Sequence, residues 1–384
     1  MTTRREFVRD AGVAAAVVAT AGAAAATAFG TRSLSAGTGP KKTLLILGGT
    51  RFLGPEIVDA AKASGWTITL FNRGKTNPGL FPELEKLQGD RTSDLKSLVG
   101  RSFDAVIDTS GYFPREVRDS AGLLGRQGAK QYVFVSSISV YADLGKPGVD
   151  ETAPVAVLKD PTVEKVTEET YGGLKALCEA AAETAMPGRV TNVRPGLIVG
   201  PNDGTDRFTY WPVRIAKGGE VLAPNRPEDP VEFIDVRDLA VWIVKTIDQK
   251  TFGVYNATSS PIKVGDMLDA CKAASGSDAK FTWASAAFLK EQKVEEWSDM
   301  PVWTSPEGSD AGGGLVKNAR AVAKGLTFRP IKTTAKDTLD WWKTLPKERT
   351  GKLKSGLTEE REKAVLAAWH EAEKAKAQKA PKAG

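Results

Sequence analysis

Two periodicities divide this chain of 384 residues. Thr43–Leu47 is a short continuous apolar run, the pattern of a strand buried on both faces of a parallel sheet, and after a glycine-containing turn Pro55–Ser64 repeats at helical spacing. Further strands are predicted at Thr67–Phe71, near Leu87, and at Asp104–Asp108, Tyr132–Ser136 and Val190–Val193, with helix-like segments between most of them. Strand alternating with helix at this spacing predicts right-handed βαβ units and an α/β architecture built on a doubly wound parallel sheet.

From Gly200 the alternation loosens into sequence rich in proline, glycine and tryptophan. FIDVRDLAVWIV returns to a strand-then-helix signature, GVYNAT reads as another short strand, and Ile262–Trp342 mixes helices with the glycine-rich loop SPEGSDAGGG. The expected division is a main domain over residues 41–200, completed by about 232–258, and a smaller C-terminal lobe from 201–231 and 259–346. Residues 347–384 read as a basic helical tail. Thr358 is placed as its N-cap, acidic residues fill the first turn, and Val365 and Trp369 lie one turn apart, so a solvated helix packing by its tryptophan edge is expected.

At 41% hydrophobic and 26% charged residues the chain has ordinary globular composition, and the ends are what change the picture. Arg4 and Arg5, followed by Phe7, Val8 and an alanine-rich apolar stretch from Ala11 to Phe29, have the layout of a twin-arginine export signal. Residues 1–36 are therefore read as signal and linker and set apart from the fold. Ala26-Thr27-Ala28 offers a small-residue cleavage site; the alternative is a retained membrane anchor, since the stretch is nearly long enough to span. The expectation is export across the cytoplasmic membrane with the twin-arginine machinery as partner, a route that carries folded proteins with a cofactor already in place.

The formal charge of +6 is unevenly spread. Residues 1–40 carry four arginines against Glu6 and Asp10, and residues 343–384 carry eleven lysines and arginines against six glutamates, which leaves −1 on the body between. A basic body that grips nucleic acid is not encoded. Cys178 and Cys271 each lie in an apolar helical pattern and read as buried free thiols. His370, the single histidine, falls in the tail, so neither a histidine-based triad nor a histidine metal cluster is available, and no cysteine or carboxylate spacing suggests a metal.

Candidate chemistry begins at LGGTRFLG, where Gly48 and Gly54 stand at the two ends of a strand-to-helix turn. The first permits a tight turn and the last a close helix–strand packing, so that the helix N-terminus faces a pyrophosphate. Gly49, Thr50, Arg51, Phe52 and Leu53 complete this expected cofactor loop. An NAD-specific chain often has an acid at the end of the second strand; FNRGK has Asn72 and Arg73 there, and Arg73 with Arg51 favours a 2′-phosphate, hence NADP over NAD. In TYGGLKALCE, Tyr171 and Lys175 are four apart on one helix face, where a lysine cation lowers a phenol's pKa and readies it to exchange a proton with a substrate hydroxyl or carbonyl.

On these motifs the chain, from about Thr43 to about Thr344, resembles the extended short-chain dehydrogenases/reductases, the NAD-dependent epimerase/dehydratase family, with a Rossmann-like sheet and a smaller C-terminal substrate lobe. The resemblance implies that Tyr171 is the catalytic acid/base, that Lys175 is its pKa-lowering and ribose-binding partner, and that Ser137 in VSSISVY supplies the catalytic hydroxyl. It further implies that Asp90 in QGDR contacts adenine, that Thr109, Ser110 and Gly111 form the turn after the fourth strand, and that Pro195 in NVRPGLIVGP belongs to the strand closing over the nicotinamide. FIDVRDLA matches a late family motif, and a homodimer through the Tyr171 helix is the family expectation. Arg51 departs from the pattern: it stands where G-x-x-G-x-x-G has its middle glycine, and either crowds the loop or brings its own charge to the phosphates. The form GGTRFLG resembles an atypical branch that includes the chloroplast stem-loop-binding proteins, which handle RNA.

Two function classes follow. One is a hydride-transferring enzyme acting at a carbinol of a sugar or nucleotide-sugar; the other is a nucleotide- or RNA-binding module on the same fold. The body's charge and the export signal both weigh against nucleic acid. Dehydration is disfavoured because Ile138 and Ser139 follow Ser137 where the family's dehydratases place an acidic pair, leaving epimerisation or net redox, with a redox-neutral reaction better suited to an exported enzyme. The substrate is expected between sheet and lobe near GPNDGTDRFTYWP, where Asp206, Arg207, Tyr210 and Trp211 could hydrogen-bond or stack on a sugar, or else pack the lobe and cap its turns.

Overall fold

The computed structural model describes residues 42–307 and 315–379. The twin-arginine stretch and residues 308–314 of the glycine-rich loop lie outside these. Every residue of Leu44–Leu47 in β1 (Thr43–Leu47) is fully buried. Leu44 and Ile46 enter one core while Leu45 and Leu47 enter another on the opposite face, which is why the run shows no polar alternation.

Beside β1 lie β2 (Thr67–Asn72) and β3 (Glu85–Gln88) on one side, and β4 (Ala105–Asp108), β5 (Gln131–Val135) and β6 (Val190–Pro195) on the other. With β11 (Gly253–Ala257) at the edge, they form a seven-stranded sheet in the order β11-β6-β5-β4-β1-β2-β3. All neighbours run parallel. Helices α1 (Leu53–Ala63) and α5 (Val236–Asp248) cover one face, and α2 (Pro114–Arg126) and α3 (Glu168–Ala185) cover the other. Strand order reverses between β1 and β4, whose ends Leu47 and Asp108 are register partners, so a crevice opens beyond these carboxyl ends.

A second core gathers late segments: α4 (Tyr210–Ala216), β8 (Glu220–Pro224), α6 (Val264–Ser275), β13 (Lys280–Ala284), α7 (Ala286–Glu291) and residues of α9 (Ile331–Thr344). β8 and β13 pair in parallel, and the two-residue strands β7 (Ile198–Val199), β9 (Pro230–Val231), β10 (Ile234–Asp235) and β12 (Ile262–Lys263) pair β7 with β10 and β9 with β12. Cys178 and Cys271 are both buried and free.

The tail differs from the solvated helix the pattern suggests. Thr358 does cap α11 (Glu359–Lys379), its Oγ1 accepting from Arg361 N at 3.2 Å, and Trp369 stacks edge-on against Phe288. But Leu357, Val365 and Leu366 are core residues, and the Glu362 carboxylate, 3% exposed, takes Arg214 Nε at 2.5 Å and the Leu222 N–H at 3.0 Å. One buried glutamate thus makes this helix a structural member of the lobe. No helix among the described residues is long and apolar enough to cross a membrane.

Candidate active site

The turn between β1 and α1 passes through Gly48 (φ 108°) and Gly49 (φ 87°), backbone that side chains rarely adopt. A Cβ on Gly54 would stand 2.6 Å from the Gly49 main chain, so α1 starts hard against the turn and only glycine fits. Polar side chains tie the loop down: Asn72 Nδ2 donates to the Gly48 carbonyl at 3.2 Å and Asn77 Nδ2 to the Thr50 carbonyl at 2.9 Å. Thr50 and Leu53 are buried, and Phe52 precedes α1 at φ 45° with its ring packed on the core below. The N-terminus of α1 therefore meets the end of β1 at the crevice, an arrangement that binds anions. This cradle of three glycines suits a dinucleotide, whose diphosphate needs close approach to main-chain N–H groups.

The flanking residues are disposed differently. Asn72 spends its side chain on the glycine turn, while Arg73 is exposed. Asp90 accepts from Thr92 Oγ1 at 2.7 Å and Thr92 N at 3.0 Å, and those bonds, with the charges of Arg73 and Lys75 nearby, hold its carboxyl below the usual range. At the end of β4, Thr109 Oγ1 donates to the Leu47 carbonyl at 2.9 Å, joining the two strands across the crevice. Beneath it lies a network that sequence reasoning missed: Asp108, fully buried, takes Arg91 Nη1 at 2.5 Å, the Tyr132 hydroxyl at 2.7 Å and Ser110 N at 3.0 Å. Its signal was available, since Arg91 directly follows Asp90 in QGDR and Asp108 precedes Thr109 in DTSG.

Ser137 and Tyr171 come together because α3 begins at the right place and sits close enough. Thr167 and Thr170 form a reciprocal capping box, which starts the helix just before Tyr171. Gly172 then lets α3 lie directly on the Ser139 carbonyl, in the single helical turn Ile138–Val140 after β5; a side chain there would collide. The Tyr171 phenol hydrogen-bonds the Ser137 side chain, whose Oγ also meets Ser139 Oγ at 3.0 Å.

Lys175, one turn on, is 5% exposed and donates Nζ to the Val135 carbonyl at 2.7 Å and the Gly111 carbonyl at 2.9 Å, with the Phe134 ring 4.2 Å below. Burial pulls its pKa down to about 8. Burial likewise pushes the Tyr171 phenol up, with Tyr112 adding to the rise; the groups that oppose it are the Ser137 hydrogen bond and the Arg207 guanidinium. This differs from the expectation that Lys175 lowers the phenol, and the reason is geometric: the ammonium is engaged with two main-chain carbonyls, while Arg207 supplies the cation facing Tyr171.

Tyr112, absent from the sequence-based set, lies 5.5 Å from Lys175 Nζ and raises Tyr171 through its own phenol. Arg207 Nε contacts Thr205 Oγ1 at 3.1 Å beside buried Asp203, and its guanidinium lies 5.6 Å from the centre of the Trp297 ring. Pro195 is buried at the end of β6, where it pairs with Ala257.

Tyr210 and Trp211 are corrections. Trp211 is fully buried and spends its indole N–H on the Pro301 carbonyl at 2.7 Å, and Tyr210, 1% exposed, packs its ring onto Gly356 of the tail. Both are lobe core. Neighbouring Asp206 is likewise a buried strut, accepting Arg349 Nη2 and, at 3.0 Å, Lys354 N.

A parallel sheet with a glycine cradle at its switch point, and Ser137, Tyr171 and Lys175 gathered beside it, defines a Rossmann-like α/β fold. The profile of the NAD dependent epimerase/dehydratase family matches residues 44–258, and the chain belongs to that family. Among curated proteins it is similar to the chloroplast stem-loop binding protein of 41 kDa b of Arabidopsis thaliana, 26% identical over 259 residues that cover 62% of this chain and 64% of that protein, just under two thirds of its length. Among solved structures it is similar to the UDP-N-acetylglucosamine 4-epimerase from Bacillus cereus (TM-score 0.55, 16% identity, 80% of this chain and 98% of that one). It is also similar to the Bordetella bronchiseptica enzyme WbmH in complex with NAD+ (TM-score 0.58, 16% identity, 79% and 99%). These structural likenesses show the fold.

Proposed function

We propose that this protein is an NAD(P)-dependent oxidoreductase or epimerase acting at a carbinol of a sugar or nucleotide-sugar. The observation that carries the reading is the Tyr171–Ser137 hydrogen bond, with Lys175 fixed one turn away and Arg207 facing the phenol. Gly48, Gly49, Gly54 and the turn Thr109–Gly111 would hold the dinucleotide, with Asp90 toward adenine and Lys175 toward ribose, and it would supply the hydride acceptor and donor.

The residues of the chain do the proton work. Tyr171 takes the carbinol proton as the C–H bond breaks and returns it on reversal, Ser137 orients the oxygen, and the Arg207 cation stabilises the phenolate against its burial. Ile138 and Ser139, where an acidic pair would serve dehydration, support epimerisation or simple redox instead. NADP is preferred on Arg73 and the lack of an acid after β2. Export by the twin-arginine route, with cofactor loaded beforehand, favours a redox-neutral reaction, and a homodimer is part of the same reading. Turnover assayed over a panel of UDP- and TDP-sugars with Tyr171→Phe as control tests it: a true substrate turned over equally by both chains would overturn the role of Tyr171.

The second reading is a nucleotide- or RNA-binding module. The name of the Arabidopsis relative favours it. Its body here carries −1, so binding that strengthens at low salt would have to come from elsewhere in the chain.

A further inference from the structure

Resting on the dinucleotide site proposed above, we infer that Arg51 is a clamp on the cofactor diphosphate that ties the glycine turn of the sheet to the 200–209 loop of the second lobe. The backbone around Arg51 is fixed: its carbonyl accepts Gly54 N at 2.9 Å, and the preceding Thr50 carbonyl is held by Asn77. What remains free to act is the side chain. It is exposed and makes no hydrogen bond or ion pair with the described residues.

Its reach is across the crevice. A Cβ built on Gly204 would stand 3.8 Å from Arg51 Nη2, so the guanidinium lies against a loop position that has no side chain to displace it. Its charge also acts on the Tyr112 phenol, which follows β4 and neighbours Lys175. The guanidinium therefore lies between the glycine turn that carries it and the loop of Gly204 and Arg207, with Tyr112 after β4 within reach of its charge.

A diphosphate bound at the α1 N-terminus would come within reach of this side chain. A planar guanidinium can take two phosphate oxygens from the side opposite the main-chain N–H groups, doing from above what a closer backbone approach does when the middle position is glycine. Arg73 stands apart from this, exposed beside Asp90 at the β2–β3 end. The two arginines divide the work: Arg51 takes the diphosphate and Arg73 the adenosine end.

Calorimetric titration of the full chain with ADP, AMP, NADH and NADPH, repeated for Arg51→Gly, Arg51→Gln and Arg51→Lys, separates the possibilities. The clamp predicts that Gln weakens ADP, NADH and NADPH by a similar factor of about ten, the loss of one charge-assisted contact, with AMP little changed and Lys intermediate, and that Gly weakens them less than Gln does, since it lets the main chain approach the diphosphate. Arg51→Gln keeps the test alive if Arg51→Gly fails to fold. Unchanged or tighter binding, or a loss confined to NADPH, overturns the clamp while leaving the dinucleotide site standing. A wild-type chain that binds ADP but neither dinucleotide overturns the hydride-transfer reading and not the clamp, and one that binds none of the four overturns both.

Discussion

In the sheet-forming half, cohesion comes from strands whose alternate residues enter opposite layers, Leu44 and Ile46 one way and Leu45 and Leu47 the other. In the second lobe it comes from single buried polar groups that join distant stretches of chain. Glu362 binds Arg214 and the Leu222 N–H, Asp206 binds Arg349 and Lys354 N, and Asp229 takes the Trp303 indole at 2.9 Å. The candidate site is divided in the same way. The sheet half holds Ser137, Tyr171 and Lys175 in place through a helix cap and a glycine contact, and the lobe contributes the opposing cation, Arg207, from a loop braced by the tail.

The contrast can be broken most sharply at Tyr171. Tyr171→Phe keeps the packing and removes the proposed proton carrier, so turnover should fall about a thousandfold while the denaturant midpoint barely moves, measured by steady-state kinetics and urea unfolding. Glu362→Ala should do the opposite. Leaving Arg214 and the Leu222 N–H buried without their partner should cost about 3 kcal/mol of stability, read as a lower urea midpoint, while the apparent affinity of the refolded protein for dinucleotide stays close to wild type. An equal loss of cofactor binding would mean that the two regions are not separable. Trp211→Phe, which forfeits the bond to Pro301 and leaves a small void, should cost about 2 kcal/mol and leave KM unchanged if Trp211 is core; a raised KM with normal stability would restore it as a sugar platform.

The smallest effect concerns pH. Lys175 titrates near 8 in the folded protein and at its ordinary 10.5 when unfolded. Between those values the unfolded chain holds a proton that the folded chain has lost, so this residue makes stability rise as pH climbs from about 8 toward 10.5. Lys175→Met should flatten that part of the stability–pH curve, as followed by chemical unfolding at successive pH values; an unchanged slope would show that burial of the ammonium is not the cause.

Legibility followed the same divide. The sheet strands and the glycine turn were readable because each is coded locally, by apolar runs of the right length and by glycines where no side chain fits. Ser137, Tyr171 and Lys175 were readable as a motif, and their convergence in space follows from Thr167 and Gly172 acting within a few residues of the site. Tyr210 and Trp211 were misplaced because aromatic residues near a crevice look alike in sequence whether they face it or the core. What decides between the two is a packing partner such as Gly356 or the Pro301 carbonyl, far along the chain. The tail misled for the same reason: a helix with one buried glutamate has the composition of a solvated one. Arg91 sat within QGDR and Tyr112 directly after the Thr109–Gly111 turn, but the fold was needed to show that one supports Asp108 and the other borders Lys175.

The most direct test of the central claim is to purify the folded chain, denature it, and identify any released nucleotide by mass spectrometry, followed by NADH and NADPH titration of the stripped protein. Retained NAD(H) or NADP(H), or tight binding of either on titration, is the predicted result. A protein that releases no nucleotide and binds neither form would contradict the account of a working dinucleotide site.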